Sequence, residues 1–225
     1  DFNRSPSRGT LATARLRAVS LHSYSRRECA GWLRVQRMSG AASLGLGPNR
    51  EDATTVITLR RAIADDALPL SRLAEATFRA AFSAASTEAE MDRHCATRFG
   101  ERHQGEEIAA RSLETWLAMD GEAIAGFVQL RIRVRPTCVE AASACEVQRL
   151  YVDARFHGKG VAALLMDACI DSARGHGTAA LWLGVWERNR RAIAFYAKCG
   201  FVDVGEQVFP LGRDLHRLSL IHISE

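Results

Sequence analysis

Between Cys145 and Ala173 the chain passes from an apolar run through Arg155-Phe-His-Gly-Lys-Gly160 into a long amphipathic segment. The first part reads as a strand. Past the turn, Val161, Leu164, Leu165 and Ala168 recur on one helical face, and Gly175 and Gly177 stop the helix. A strand feeding a helix through a short glycine turn commits the chain to a sheet with helices packed on it. The turn also reads as an anion cradle. Gly158 and Gly160 let the main chain approach a ligand closely. The unsatisfied amides and the macrodipole of the helix start favour a phosphate or pyrophosphate, and Arg155 and Lys159 add positive charge. No Gly-Lys-Ser/Thr follows, so this is no Walker loop, and the glycine spacing is not that of a dinucleotide fingerprint. As a bare string it is weak, and an ordinary glycine turn is its alternative; the strand before it and the helix after it strengthen the reading.

The remaining core reads in sequence order. Thr54–Arg60 is a short β-branched strand. Asp65-Asp66 supply N-cap chemistry, and Pro69 suits the first turn of a helix reaching about Phe82. Leu70, Leu73, Ala74, Thr77 and Ala81 form its apolar face. Thr87 and Glu90 form a capping box for a second helix through about Phe99. Glu101–Glu107 is polar and reads as loop. Leu113–Met119 is a strand, Asp120-Gly121 a hairpin turn, and the return strand alternates Val128, Leu130, Ile132 and Val134 against Gln129, Arg131 and Arg133 until Pro136. After the strand over Cys145–Val152 and its helix come a strand over Ala179–Val185, a helix over Asn189–Cys199 closed by Gly200, a strand over Phe201–Phe209, and a last short pairing over Arg217–Ile221. The order β-α-α-β-β-β-α-β-α-β is mixed α/β around one twisted sheet.

A second segment narrows the reading. Leu181-Trp-Leu-Gly-Val-Trp-Glu-Arg-Asn-Arg-Arg-Ala-Ile-Ala-Phe-Tyr-Ala-Lys-Cys-Gly-Phe201 is a strand, an Asn-headed helix, a glycine stop and an aromatic strand start. With the Arg155–Gly160 string about 30 residues earlier, the chain resembles the GNAT superfamily of acetyl-CoA-dependent N-acetyltransferases from about Val56 to Leu218. The resemblance implies a three-layer α/β sandwich, with a central, twisted, mostly antiparallel sheet and helices on both faces. It implies acetyl-CoA as co-substrate. The pyrophosphate would rest on Arg155, His157, Gly158, Lys159, Gly160 and Val161. Asn189 would contact the cofactor arm. Backbone amides of Leu150, Tyr151 and Val152 would polarise the thioester carbonyl. Tyr196, seven residues after Asn189 and so on the same helix face, would protonate the departing thiolate. One departure is His157, where many members carry Arg or Gln; an altered cofactor affinity is expected from it.

Each role has a plainer alternative. Tyr196 also reads as a core aromatic with its hydroxyl tied off. Glu146 leads the strand before the cradle and reads either as general base, through water, for the acceptor ammonium or as the partner of a neighbouring cation. Trp182 and Trp186 share strand parity and read as core packing before substrate stacking. Arg190 and Arg191 read as solvated charges before ligands of a 3′-phosphate. Phe78, Phe82 and the Glu106–Glu107 region are weak candidates for acceptor recognition. The expected activity is direct transfer of acetyl to a primary amine in a ternary complex, the acceptor being a small molecule or a peptide. The alternative is an inactive acyl-CoA-binding sensor or interaction module on the same fold.

Charge separates the ends of the chain. Residues 1–50 hold nine Arg against Asp1 and Glu28, a charge of +7, which leaves −3 for residues 51–225. The basic character therefore belongs to the extension, and the core's charge gives no general case for a polyanion partner. That Arg-, Ser- and Ala-rich extension reads as disordered, either a transit peptide or a stretch read from upstream of the true start. The domain proper is set at residues 51–218, and residues 219–225 are set apart as a tail of doubtful origin. Six cysteines form no C-x-x-C pair and the histidines are scattered, so no metal site is expected. Cys169 and Cys199 read as buried thiols. Neither nucleic acid nor membrane is expected as a partner, and a homodimer is allowed. The expected location is cytoplasmic, or organellar if residues 1–50 are a true transit peptide.

Overall fold

A computed structural model describes residues 56–82, 87–211 and 214–224. The extension over residues 1–50 lies outside them. The elements are β1 (Ile57–Arg61), α1 (Ala67–Phe82), α2 (Glu88–Arg98), α3 (Glu101–Ala109), β2 (Leu113–Asp120), β3 (Ala123–Arg131), β4 (Ala144–Val152), α4 (Val161–Gly175), β5 (Ala180–Trp186), α5 (Arg190–Lys198), β6 (Val202–Leu211) and β7 (Asp214–Ser224). They build one seven-stranded sheet in the order β1-β2-β3-β4-β5-β7-β6. Every neighbouring pair is antiparallel except β4 and β5, which run parallel.

Local signals set most boundaries. Thr87 Oγ1 and the Glu90 carboxylate cap α2 reciprocally, as the capping box requires. Gly121, with φ +58°, makes the β2–β3 turn. Asp66 closes the turn before α1 by accepting from the Ile63 amide at 2.8 Å and from both Arg60 Nη atoms at 2.6 and 2.7 Å.

Helices cover both faces, giving the three layers expected. On one face α4 brings Val161, Leu165, Met166, Cys169 and Ile170 against Val128, Leu130, Val147, Leu181 and Leu183. Burying each large aliphatic side chain there contributes about 1.5–3 kcal/mol. Gly126 permits the approach, because a Cβ at this position would stand 2.8 Å from the Tyr151 carbonyl and 3.2 Å from Leu165 Cδ1. On the other face α1 and α2 lay Leu70, Ala74, Phe78, Met91, Cys95 and Phe99 over Leu117, Met119 and Phe127. Among the described residues no helix is long and apolar enough to cross a membrane.

Three expectations are corrected. Glu101–Glu107 is not a loop but most of α3, whose Gln104 and Glu107 side chains are drawn under the helix around a buried ion pair described below. The return strand β3 ends at Arg131; Arg133 takes φ +60°, and Val134 leaves the ladder to accept from Trp182 Nε1 at 2.7 Å. Because both faces of β3 are covered, Gln129 is fully buried. Ser219–Ser224, set apart as a tail, continues β7 and pairs with Ala180–Trp186 of β5 together with Leu218. Cys169 and Cys199 are buried thiols in no disulfide, as expected.

Candidate active site

The site begins where the sheet parts. β4 and β5 share only three registered positions, Ala144 with Ala180, Cys145 with Leu181 and Glu146 with Trp182. Beyond Glu146, β4 continues along β3 alone, with Leu150 opposite Val128, Tyr151 opposite Phe127 and Val152 opposite Gly126. The Asp153 amide donates to the Ala125 carbonyl at 2.9 Å. By the alternation of an antiparallel ladder, Tyr151 also turns its peptide groups to β3, while Leu150 and Val152 turn theirs into the gap. Of the three amides expected to face the cofactor, those of Leu150 and Val152 turn to the gap and that of Tyr151 does not. Tyr151 instead packs its ring edge-on to Phe127, with centroids 5.5 Å apart.

At the end of β4 a glycine turn leads into α4. Asp153 caps a short turn by accepting from the Arg155 amide at 2.9 Å. Gly158 and Gly160 take φ +75° and +80°, the left-handed region that only glycine enters without strain. Gly160 is the N-cap of α4 and has no side chain to satisfy the first-turn amides. A Cβ at Gly158 would meet nothing within 4 Å, so the turn faces open space. Main-chain donors with room before them fit a diphosphate. The side chains are less simple. Arg155 is clasped by Asp153, Nη2 to Oδ2 at 2.7 Å and Nε to both oxygens, which cancels its charge locally. Lys159 Nζ lies 5.5 Å from the Phe156 ring centre. His157 Nε2 donates to the Val152 carbonyl at 2.9 Å, and its Nδ1 accepts from Arg191 Nη1 at 2.8 Å.

The expected catalytic residues come from different elements, Glu146 from β4 and Tyr196 from α5. Glu146, at the root of the gap, accepts from Arg131 Nη1 at 3.1 Å. Burial pushes its carboxyl above the ordinary range, and Arg131 and Arg149 oppose that without overcoming it. Tyr196 is 8% exposed and packs with Phe195 and Phe201 in the core beneath α4 and α5, at centroid distances of 5.3 and 5.6 Å. Burial pushes its phenol up, so it stays protonated at neutral pH. Asn189 uses its own Oδ1 to cap α5, accepting from the Ala192 amide at 3.1 Å. That leaves its Nδ2 and its position, rather than the carbonyl oxygen, to meet a ligand.

Beside Glu146 lies a polar cluster of which sequence reading named only Glu107 as a site candidate. Glu107 of α3 accepts from Arg149 Nη1 at 2.6 Å, from Gln104, Gln129 and Gln148, and faces His103 Nε2 at 3.2 Å. Gln129 also accepts from Arg149 through Oε1. Burial pushes the Glu107 carboxyl up, but Arg149, Gln129 and His103 together hold it below the ordinary value. Glu107 thus braces the sheet rather than offering a free carboxylate to an acceptor, and Glu106 is paired with Arg102 on the surface. On the same face Phe78 stacks on Phe82 and His94, and Phe82 stacks on Trp186 at 4.9 Å. This aromatic wall joins α1 to the end of β5. Trp182 is core, as expected. The positions of Gln129 and Arg149 on strands whose other face is apolar carry no signal of burial; only the strand register and α3 reveal it.

A parted parallel pair, open strand amides and an uncapped glycine helix start together suit an acyl donor with a diphosphate. The model of the acetyltransferase (GNAT) family matches residues 73–201, more than half of the chain. An uncharacterised N-acetyltransferase of Lactobacillus delbrueckii subsp. lactis is 31% identical over 139 residues, covering 61% of this chain and 80% of that protein. One of Mycobacterium tuberculosis is 43% identical over 67 residues, 30% of this chain and 43% of that protein. The crystal structure of PaiA N-acetyltransferase from Thermoplasma acidophilum, in complex with coenzyme A, has a TM-score of 0.60 at 16% identity, over 76% of this chain and 99% of that one. Sequence model, relatives and fold agree, and this chain belongs to the GNAT family of acetyltransferases.

Proposed function

We propose that this protein transfers acetyl from acetyl-CoA to a primary amine by direct attack in a ternary complex. The observation that carries the reading is the parting of β4 from β5 after Glu146, which leaves the Leu150 and Val152 amides and the glycine start of α4 facing one gap. The co-substrate supplies an activated thioester. The amides of Gly158, Gly160 and the first turn of α4 hold its diphosphate, the Lys159 amide being bonded to the Phe156 carbonyl at 3.2 Å, and Leu150 and Val152 donate to the thioester oxygen as negative charge develops there.

The other steps are proton transfers. An ammonium must lose a proton before its nitrogen can attack carbon. Glu146, held less acidic by burial, takes that proton through water. The Tyr196 phenol gives its proton to the sulfur as the C–S bond breaks. Positioning supplies much of the rate, since a thiolate is already a fair leaving group. The Glu107–Arg149 brace and the aromatic wall border the face from which the amine enters. Tyr196→Phe keeps the ring packing and removes the acid. It should lower kcat about 10²–10⁴-fold while leaving the Kd of coenzyme A within about twofold. Normal turnover with collapsed CoA affinity would assign the residue to binding instead.

A further inference from the structure

We propose that Arg191 is the side-chain cation of the diphosphate site and that His157 positions it. This inference rests on the reading that the Gly158–Gly160 turn holds the diphosphate of CoA. Arg155, Lys159 and Arg191 are the cations the structure brings to the turn. Arg155 is engaged by Asp153 through three contacts of 2.7–3.2 Å, so little of its charge is left for a ligand. Lys159 rests against the Phe156 ring. Arg191 belongs to a different element, the first turn of α5, yet its Nη1 reaches the turn and meets His157 Nδ1 at 2.8 Å. Among the described residues it has no carboxylate partner.

The hydrogen positions follow from the partners. A carbonyl only accepts and a guanidinium only donates. His157 therefore carries its hydrogen on Nε2, toward Val152, and presents the Nδ1 lone pair to Arg191. The ring is a strut with one end fixed to the last residue of β4 and the other to α5. It costs Arg191 none of its charge, because the partner is a neutral lone pair, and the remaining guanidinium N–H groups stay open to an anion. Guanidinium and phosphate form charge-assisted bonds about twice as strong as neutral ones. His157 thus departs from the family pattern without loss of charge: the cation comes from α5 instead.

The test is isothermal titration of the full-length wild type and variants with coenzyme A, 3′-dephospho-CoA and pantetheine. Arg191→Gln should weaken coenzyme A and dephospho-CoA alike, about tenfold or more, and leave pantetheine unchanged. Arg188→Gln removes the same charge from the preceding loop and should change affinity less than about twofold. Among His157 variants, Asn keeps an acceptor near the Nδ1 position and should retain most of the affinity, whereas Ala should approach Arg191→Gln. Arg191 and His157 are exposed, so thermal melts of these variants should match wild type. An Arg191→Gln affinity equal to wild type would overturn the inference. So would a loss seen with coenzyme A but not with dephospho-CoA, or a loss matched by Arg188→Gln. A wild type that binds no coenzyme A would instead overturn the reading beneath it.

Discussion

Glu146 carries two opposed demands, and its environment shows which one prevails. As a structural partner of Arg131 it would be better fully ionised; as a base it must bind a proton near working pH. Burial is the larger influence and lifts its carboxyl above the ordinary value of 4.5. A carboxyl raised on folding binds its proton more tightly in the folded state, so its contribution to stability is present at low pH and lost as pH rises through the raised value. Ionised Glu146 therefore costs stability at neutral pH. Glu146→Gln should raise Tm at pH 7 while lowering kcat/KM at least about 10²-fold, and the acid limb of the wild-type pH profile should disappear with it. A profile whose acid limb survives in the variant would remove Glu146 from the base role. Residues of this kind were legible in the sequence because their backbone context was: a strand end, a glycine turn and a helix start are local. The Tyr151 amide, the His157–Arg191 contact and the clasp on Arg155 were not, since each depends on which way a strand or loop faces a neighbour.

Among the elements, α3 shows why local reading fails. Glu101–Ala109 is polar, contains Gly105 and offers no side chain for its N-cap, so nothing in its sequence demands a helix. Its partner on the sheet supplies the reason. Glu107 and Arg149 side chains are 11% and 10% exposed, and each would be costly to bury alone. The helix brings the carboxylate to the guanidinium, Gln104, Gln129 and Gln148 complete the ring of donors, and Arg149 also lies 5.3 Å from the Phe99 ring. Glu107→Ala should destabilise the protein by about 3–5 kcal/mol in denaturant unfolding, and adding Arg149→Met should recover part of that loss. The sign with pH is opposite to that for Glu146. A carboxyl held below its ordinary value contributes stability above that value and loses it as pH falls through the lowered one. The acid-side loss of stability should accordingly be smaller in Glu107→Ala than in wild type. A loss below about 1 kcal/mol would mean that the cluster only decorates the helix.

For the molecule as a whole, one parallel pair in an otherwise antiparallel sheet is the decisive feature. Three registered positions hold β4 to β5, and then the strands part, one leading to the glycine turn and the other to α5. Sequence order was enough to foresee mixed α/β around one twisted sheet, and the family resemblance carried by the two glycines and the Asn-headed helix implied the three layers. The insertion of β7 between β5 and β6, through Ser224, was not foreseen, because a C-terminal strand only reveals its place by pairing. This gap is the proposed cofactor site whatever amine is acetylated. Amide-resolved NMR during titration with coenzyme A examines that directly. The largest shifts should fall on Gly158 through Ala163 and on Leu150 and Val152, with Tyr151 much less affected. Saturable binding that leaves those amides unmoved, with the shifts elsewhere on the sheet, would contradict it.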